Sequence, residues 1–198
     1  MAKRPVAGAV KSRLARGIGA VGAVRFHRTV LAHTLLRLGD DPRWRTYLAV
    51  TPDAALMESC WPSYPRLTRI AQGYGDLGAR MQHLFDLMPP GPVIIVGSDV
   101  PALRRAHIAH AFRMLGSADA VFGPARDGGY WLVGLKRRPR RLVPFRKVPW
   151  STDRTLADTL ANLRERIVAF SSILSDVDTP QDYARGRTRA ERLIPAGA

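Results

Sequence analysis

The 198-residue chain holds a single cysteine, Cys60, which excludes an internal disulfide and any zinc site built from several thiolates. No apolar run approaches the roughly 20 residues that cross a bilayer. The opening Met1-Ala2-Lys3-Arg4-Pro5 lacks the apolar stretch of a secretory signal. Nothing repeats internally, no Gly/Ser-rich linker divides the chain, and the Gly-x4-Gly-Lys spacing of a Walker A loop is missing. Acids are scarce, 16 against 31 Lys and Arg, for a net charge of +15. These shortages lead to the expectation of one domain over residues 1–198, without a membrane span and cytoplasmic.

A field of that sign attracts phosphates, nucleic acid and anionic surfaces. The cations are scattered, however, and the one dense run, Lys136-Arg137-Arg138-Pro139-Arg140-Arg141, carries a proline and reads as a solvated loop. No aromatic interleaving of the RNP type and no zinc-finger spacing accompanies them, so nucleic acid is disfavoured as a partner.

What the chain does have is an alternation of two hydrophobic periods, the pattern of βα units. Leu31, Leu35 and Leu38 share a helical face that ends at Gly39-Asp40-Asp41-Pro42. Trp44–Val50 predicts a strand. Leu77, Met81, Leu84, Phe85 and Met88 lie on one face of a helix closed by Pro89-Pro90-Gly91. Val93-Ile94-Ile95-Val96 has the continuous β-branched character of a strand buried on both faces. A helix over about 104–115 and strands near 118–122 and 130–135 follow. Ser151 or Thr152 is expected to cap a helix carrying Leu156, Leu160, Leu163 and Ile167, and Thr179-Pro180-Gln181-Asp182 to open another. The order favours a mostly parallel, doubly wound sheet, which binds ligands at the carboxyl ends of its strands.

Four segments carry candidate chemistry. In Pro5–Leu14, Gly8 lets backbone N–H groups approach phosphate, and Lys11 and Arg13 add cations just beyond it; a flexible basic arm is the plainer alternative. Asp99, in Gly97-Ser98-Asp99-Val100-Pro101, follows the buried strand and either ligates a hard cation or caps the next helix. Asp127-Gly128-Gly129 is either a plain hairpin turn or a close approach for substrate, with Asp127 orienting or deprotonating an acceptor. Asp176 and Asp178 flank Val177 on a loop and either share a cation or serve the helix start at Thr179.

Taken in order, Lys3–Leu14, Gly75–Met81, Gly97–Pro101, Gly123–Leu135, Pro149–Asp153 and Asp176–Asp182 resemble one family from end to end. The chain is similar to the bacterial glycosyltransferase-A-like transferases of the radical-SAM/selenodomain-associated type, relatives of 2-phospholactate and molybdenum-cofactor guanylyltransferases. The resemblance implies a three-layer α/β/α nucleotide-diphospho-sugar transferase (GT-A-like) fold. It implies Gly8, Lys11, Arg13 and Arg80 toward nucleotide phosphates. Asp99, Asp176 and Asp178 would hold Mg²⁺ or Mn²⁺, with Asp99 and Asp127 catalytic. Gly128, Gly129, Trp150, Ser151, Thr152 and Asp153 would line a small-molecule acceptor. The donor is then a nucleotide sugar, with nucleotidyl transfer from a nucleoside triphosphate as the alternative, and with a nucleotide binder without turnover less favoured. Relatives have an apolar first strand where this chain has only Met1-Ala2 ahead of Lys3, so the resemblance also implies that the first strand is missing.

Overall fold

The computed structural model of the protein describes residues 1–62, 67–139 and 141–191, with side chains as far as residue 185. Seven strands and five helices follow one another among the described residues: β1 (Ala2–Lys3), α1 (Ser12–Leu38), β2 (Tyr47–Thr51), β3 (Thr68–Ala71), α2 (Leu77–Leu87), β4 (Val93–Val96), α3 (Arg105–Met114), β5 (Ala120–Pro124), β6 (Tyr130–Leu135), α4 (Thr155–Ala161), β7 (Val168–Phe170) and α5 (Pro180–Glu191).

β1, β2 and β3 pair in parallel, and β4, β6, β5 and β7 form a second run. In that run β6 is antiparallel to both its neighbours, and β5 and β7 are parallel. The amino group of Met1 joins the two runs, donating to the Val96 carbonyl at 2.8 Å. The spatial order is therefore β3-β2-β1-β4-β6-β5-β7. The strand expected to be missing is present as Ala2–Lys3, and it lies between β2 and β4.

Period-two alternation divides the strands between two cores. Ile94, Val96, Val121 and Leu132 pack with Leu38 of α1 and with Ile108, Ala111 and Leu115 at α3. Val93, Ile95, Ala120, Phe122, Val133 and Leu135 pack on the opposite face with Met81 and Phe85 of α2 and Leu156 and Leu160 of α4. A third cluster, around Leu31, Leu35, Leu48, Val50 and Trp61, holds β2 against α1.

Two local expectations change. α4 begins at Thr155 after Arg154, with no side-chain cap from Ser151 or Thr152; the Thr155 hydroxyl instead donates to the carbonyls of Thr152 and Pro149. The chain leaves that helix at Ala161, so Ile167 ends not on its apolar face but 66% exposed beside β7. The start of α5 is as expected: Thr179 Oγ1 accepts from the Asp182 amide while the Asp182 carboxylate accepts from Thr179 N. β4 also departs from expectation. All four of its residues are only half-buried.

Candidate active site

The sheet presents its carboxyl ends to a cavity of about 490 Å³, lined by residues of β1, the loop that follows it, α2, β4 and β6. Lys11, Arg13, Arg80, Asp99 and Asp178 all reach its wall. The loop from Arg4 to Lys11 turns at Gly8, whose φ of +77° belongs to the left-handed region. A side chain there would meet open space, so Gly8 is required for the turn and not for close contact. Lys11, itself at φ 50°, opens α1 and directs its ammonium inward.

Distant parts of the chain converge on that ammonium. Lys11 Nζ donates to Asp99 Oδ2 at 2.7 Å and to Asp178 Oδ1, and its side chain is 6% exposed. One carboxylate oxygen each of Asp99, Asp176 and Asp178 lies within 4.8 Å of the other two, an all-oxygen set able to hold a hard divalent cation. Burial works against the charge on Lys11, but Asp99 and Asp178 outweigh it and hold the ammonium above its ordinary pKa. Asp176 is not paired with the lysine. Its burial, together with repulsion from Asp178 and Asp99, pushes its pKa up to about 6. A group crowded by like charge in this way is what an added cation would relieve.

Asp99 comes from the loop after β4, as the strand-end argument anticipated. Asp176 and Asp178 arrive by a route the sequence did not reveal. After β7 the chain runs as a strap across the strand ends: Ser171 N donates to Phe122 O, Leu174 N to Pro124 O and Val177 N to Asp99 O. Trp131 Nε1 donates to Ser172 O at 3.0 Å from below. Buried Val177 then pins the strap so that the two acids on either side meet Asp99.

The expected acceptor side has a different structure. Gly128, at φ +84°, lies against another loop: a Cβ there would sit 1.9 Å from the Asp153 carbonyl oxygen. Its glycine thus serves backbone packing of one loop on the other, and Leu156 N donates to Gly128 O at 2.9 Å. The Asp127 carboxylate accepts from Gly129 N at 3.0 Å, the bond of a tight turn, and it is exposed. Trp150 packs behind the sheet, its ring over Gly78 and tilted on Phe145. Ser151, Thr152 and Asp153 are exposed and do not reach the cavity. Asp127 is close enough to the carboxylates to add to the charge felt by Asp176.

Three pocket residues escaped the sequence reading. Gln72, 2% exposed, ties Ala2 O and Ala49 O together through its amide. Buried His27 bonds Lys3 O through Nε2 at 3.0 Å, and burial holds its pKa below the ordinary value. Among the described residues, the buried Tyr130 hydroxyl makes no hydrogen bond of regular geometry. A polar residue just before Gly73 was the only available hint for Gln72. His27 looked like any histidine on a helix, and Tyr130 like any strand aromatic.

Comparison with known proteins follows the same lines. Over its whole length the chain superposes with a TM-score of 0.85 and 29% identity on a protein of Desulfovibrio desulfuricans G20 classed with the nucleotide-diphospho-sugar transferases, covering 88% of it. A homologue of Mycobacterium tuberculosis rv0371c from Mycobacterium sp. strain JC1 shares the fold at 16% identity and TM-score 0.56, over 83% of this chain and 84% of that one. The 2-phospho-L-lactate guanylyltransferase of Methanocaldococcus sp. (strain FS406-22) is 27% identical over 114 residues, 57% of this chain and 49% of the relative. That of Methanocaldococcus jannaschii is likewise 27% identical over 114 residues, 57% of this chain and 50% of the relative. The chain thus matches about half the length of these relatives. Residues 34–152 match the family described as "Uncharacterized protein conserved in bacteria (DUF2064)", and the chain belongs to that family.

Proposed function

We propose that the protein transfers a group from an activated nucleotide to a small acceptor, with a divalent cation at Asp99, Asp176 and Asp178. The observation that carries this reading is the meeting of three carboxylates from two distant loops with Lys11, at the mouth of a cavity also lined by Arg13 and Arg80. Mg²⁺ or Mn²⁺ in that set would supply Lewis-acid charge against the donor's phosphates. Lys11, Arg13 and Arg80 take the remaining phosphate charge and stabilise what builds on the leaving group. For this Lys11 exchanges its two carboxylates for phosphate oxygens. Asp127, close enough to act on the charge of Asp176, orients or deprotonates the acceptor. Exposed Ser151, Thr152 and Asp153 flank it, with Gly128 and Gly129 as the packing that holds the two loops together.

Two donors fit this chemistry. Likeness to the guanylyltransferases favours a nucleoside triphosphate attacked at the α-phosphorus, as does the gathering of Lys11, Arg13 and Arg80 at the cavity wall. Likeness over the full chain to a protein classed with the nucleotide-diphospho-sugar transferases favours a nucleotide sugar attacked at its anomeric carbon. The two differ in what leaves. Incubation with Mg²⁺, candidate acceptors and each donor releases pyrophosphate in the first case and a nucleoside diphosphate in the second. Failure of both donor classes to bind, by calorimetry in the presence of Mn²⁺, would overturn the assignment.

A further inference from the structure

Trp150 stands apart from the residues with which it was expected to line an acceptor. Gly78, in the first turn of α2, makes room for its ring: a Cβ there would lie 2.5 Å from Trp150 Cζ2 and 3.0 Å from both the Cβ and the carbonyl oxygen of Phe145. The Trp150 ring is tilted on Phe145 with centroids 6.2 Å apart, and Phe145 stacks at 5.9 Å on Phe85, about two turns further along α2. The segment from Phe145 to Trp150 thus packs along both the start and the middle of one helix. The other face of that first turn belongs to the cavity. Leu77, Arg80 and Met81 fall at i, i+3 and i+4 and line its wall, whereas Gly78 lies about 200° round the helix from Arg80. Asp76 closes the turn, its carboxylate accepting from Ala79 N at 2.8 Å and its carbonyl from Arg80 N at 3.1 Å. A shift of the turn on Trp150 therefore carries Arg80 with it.

Two further observations bear on what the ring is there for. The indole N–H of Trp150 is buried and makes no hydrogen bond among the described residues, a cost that phenylalanine would avoid. What tryptophan has beyond phenylalanine is the reach of its second ring, and Cζ2, the atom over Gly78, belongs to that ring. The backbone around Trp150 is also held against its own preference. Lys147 and Ser151 have φ of 53° and 63°, in the left-handed region, which non-glycine residues keep only where their surroundings impose it. The Thr155 hydroxyl ties the same loop through the carbonyls of Pro149 and Thr152, and Asp153 within it packs on Gly128.

We propose, on the transferase reading given above, that Trp150 is a positioning residue for the donor: through Gly78 its ring seats the first turn of α2 and so sets Arg80 against the donor's phosphates. A guanidinium displaced by about 1 Å loses most of a directional hold on phosphate. Because the loop of Trp150 also carries Asp153 against Gly128, one loop braces the turn that bears Asp127 and the turn that bears Arg80. The residue expected to touch the acceptor thus acts on the donor, and through another side chain.

The test uses Trp150→Phe, which keeps a ring against Phe145 and removes the part over Gly78. The probe is inorganic pyrophosphate with Mn²⁺, the unit common to both donor classes, followed by calorimetry. Arg80→Ala is expected to weaken its binding by about 10-fold in the parent and by about 3-fold or less in the Trp150→Phe background. The two substitutions together then cost little more than either alone. A tryptophan that only filled the core would lower the midpoint of thermal unfolding and leave the cost of Arg80→Ala the same in both backgrounds; that result overturns the proposal. Hydrogen exchange reads the seating without any ligand. The Ala79 and Arg80 amides are expected to exchange about 5-fold faster or more in Trp150→Phe, while the Met88 amide at the other end of α2 keeps its rate. Unchanged rates at Ala79 and Arg80 overturn the seating itself. If the parent does not bind pyrophosphate, the transferase reading falls and the donor role of Arg80 with it, whereas the exchange rates still decide whether Trp150 seats the helix.

Discussion

Replacing Lys11 by methionine removes one charge and keeps the length of the side chain, and its consequences have opposite signs with and without nucleotide. In the free protein the ammonium neutralises Asp99 and Asp178, 32% and 41% exposed. A contact ion pair at an effective dielectric of about 20 is worth roughly 4 kcal/mol. Desolvation of the lysine and the partial exposure of both carboxylates offset most of this, leaving a net loss of about 2 kcal/mol at neutral pH on substitution. That loss shrinks in acid. Asp176 already has a folded pKa of about 6 against an ordinary 3.8, so the folded state binds the extra proton between about pH 4 and pH 6. Stability therefore falls as pH rises through that window. The deficit of the variant is an ionic one, present above the window and shrinking below it.

The same substitution frees the carboxylates for a metal. In the parent a divalent cation has to displace an ammonium from Asp99 and Asp178, at a cost of roughly 1.5–3 kcal/mol, which is about 10–100-fold in affinity. Lys11→Met is thus expected to bind Mn²⁺ alone 10–100-fold more tightly, by that same conversion, as read from the electron paramagnetic resonance of free Mn²⁺. With a nucleotide present the order reverses, because the parent's lysine then has phosphates to bind. The variant's affinity for the metal–nucleotide pair falls by about 10-fold or more. A variant that binds Mn²⁺ alone no more tightly than the parent would show that Lys11 does not hold the cation's place.

Other consequences can be measured separately. Asp99→Asn and Asp178→Asn each remove an ionised ligand and are expected to weaken Mn²⁺ binding by at least about 10-fold while leaving the fold intact in circular dichroism. Gly128→Ala puts a methyl group into the Asp153 carbonyl at a φ of +84° and is expected to cost about 3 kcal/mol or more in urea unfolding. A loss below about 0.5 kcal/mol would mean that the two loops do not touch. His27, held neutral by burial, binds fewer protons folded than unfolded, so its own contribution to stability is lost as pH drops through 6.5 and below, opposite in sign to that of Asp176. His27→Gln keeps a donor for Lys3 O and should flatten that part of the curve.

Much of this was legible in the sequence wherever the cause is local. The apolar period of α2, the β-branched run of β4 and the box at Thr179 each depend on residues within a turn or two of one another. Elements that depend on distant partners were not legible. β3 is four residues long, Thr68–Ala71, half of them exposed, and its pairing with β2 leaves no periodic mark. β7 lies just past an apolar spacing that continues the pattern of α4, and what turns Val168–Phe170 into a strand is the free edge of β5. Gly128 gave a different lesson. Its need for a close neighbour was readable, but which neighbour was not: it is the backbone at Asp153.

The carboxylate set shows why the site could be named from sequence but not built from it. In the sheet, β6 and β5 separate β4 from β7, so acids following the first and last of these strands would ordinarily lie three strand spacings apart, about 14 Å. They meet because the segment from Ser171 to Val177 is tied down in steps, to Phe122, Trp131, Pro124 and finally Asp99. Each tie uses a backbone group of the strap or of the strand end beneath it, so neither the composition of the strap nor its spacing records where it goes. The cation chemistry proposed for Asp176 and Asp178 is a property of that path, and Val177, the one buried side chain between them, is what holds its end in place.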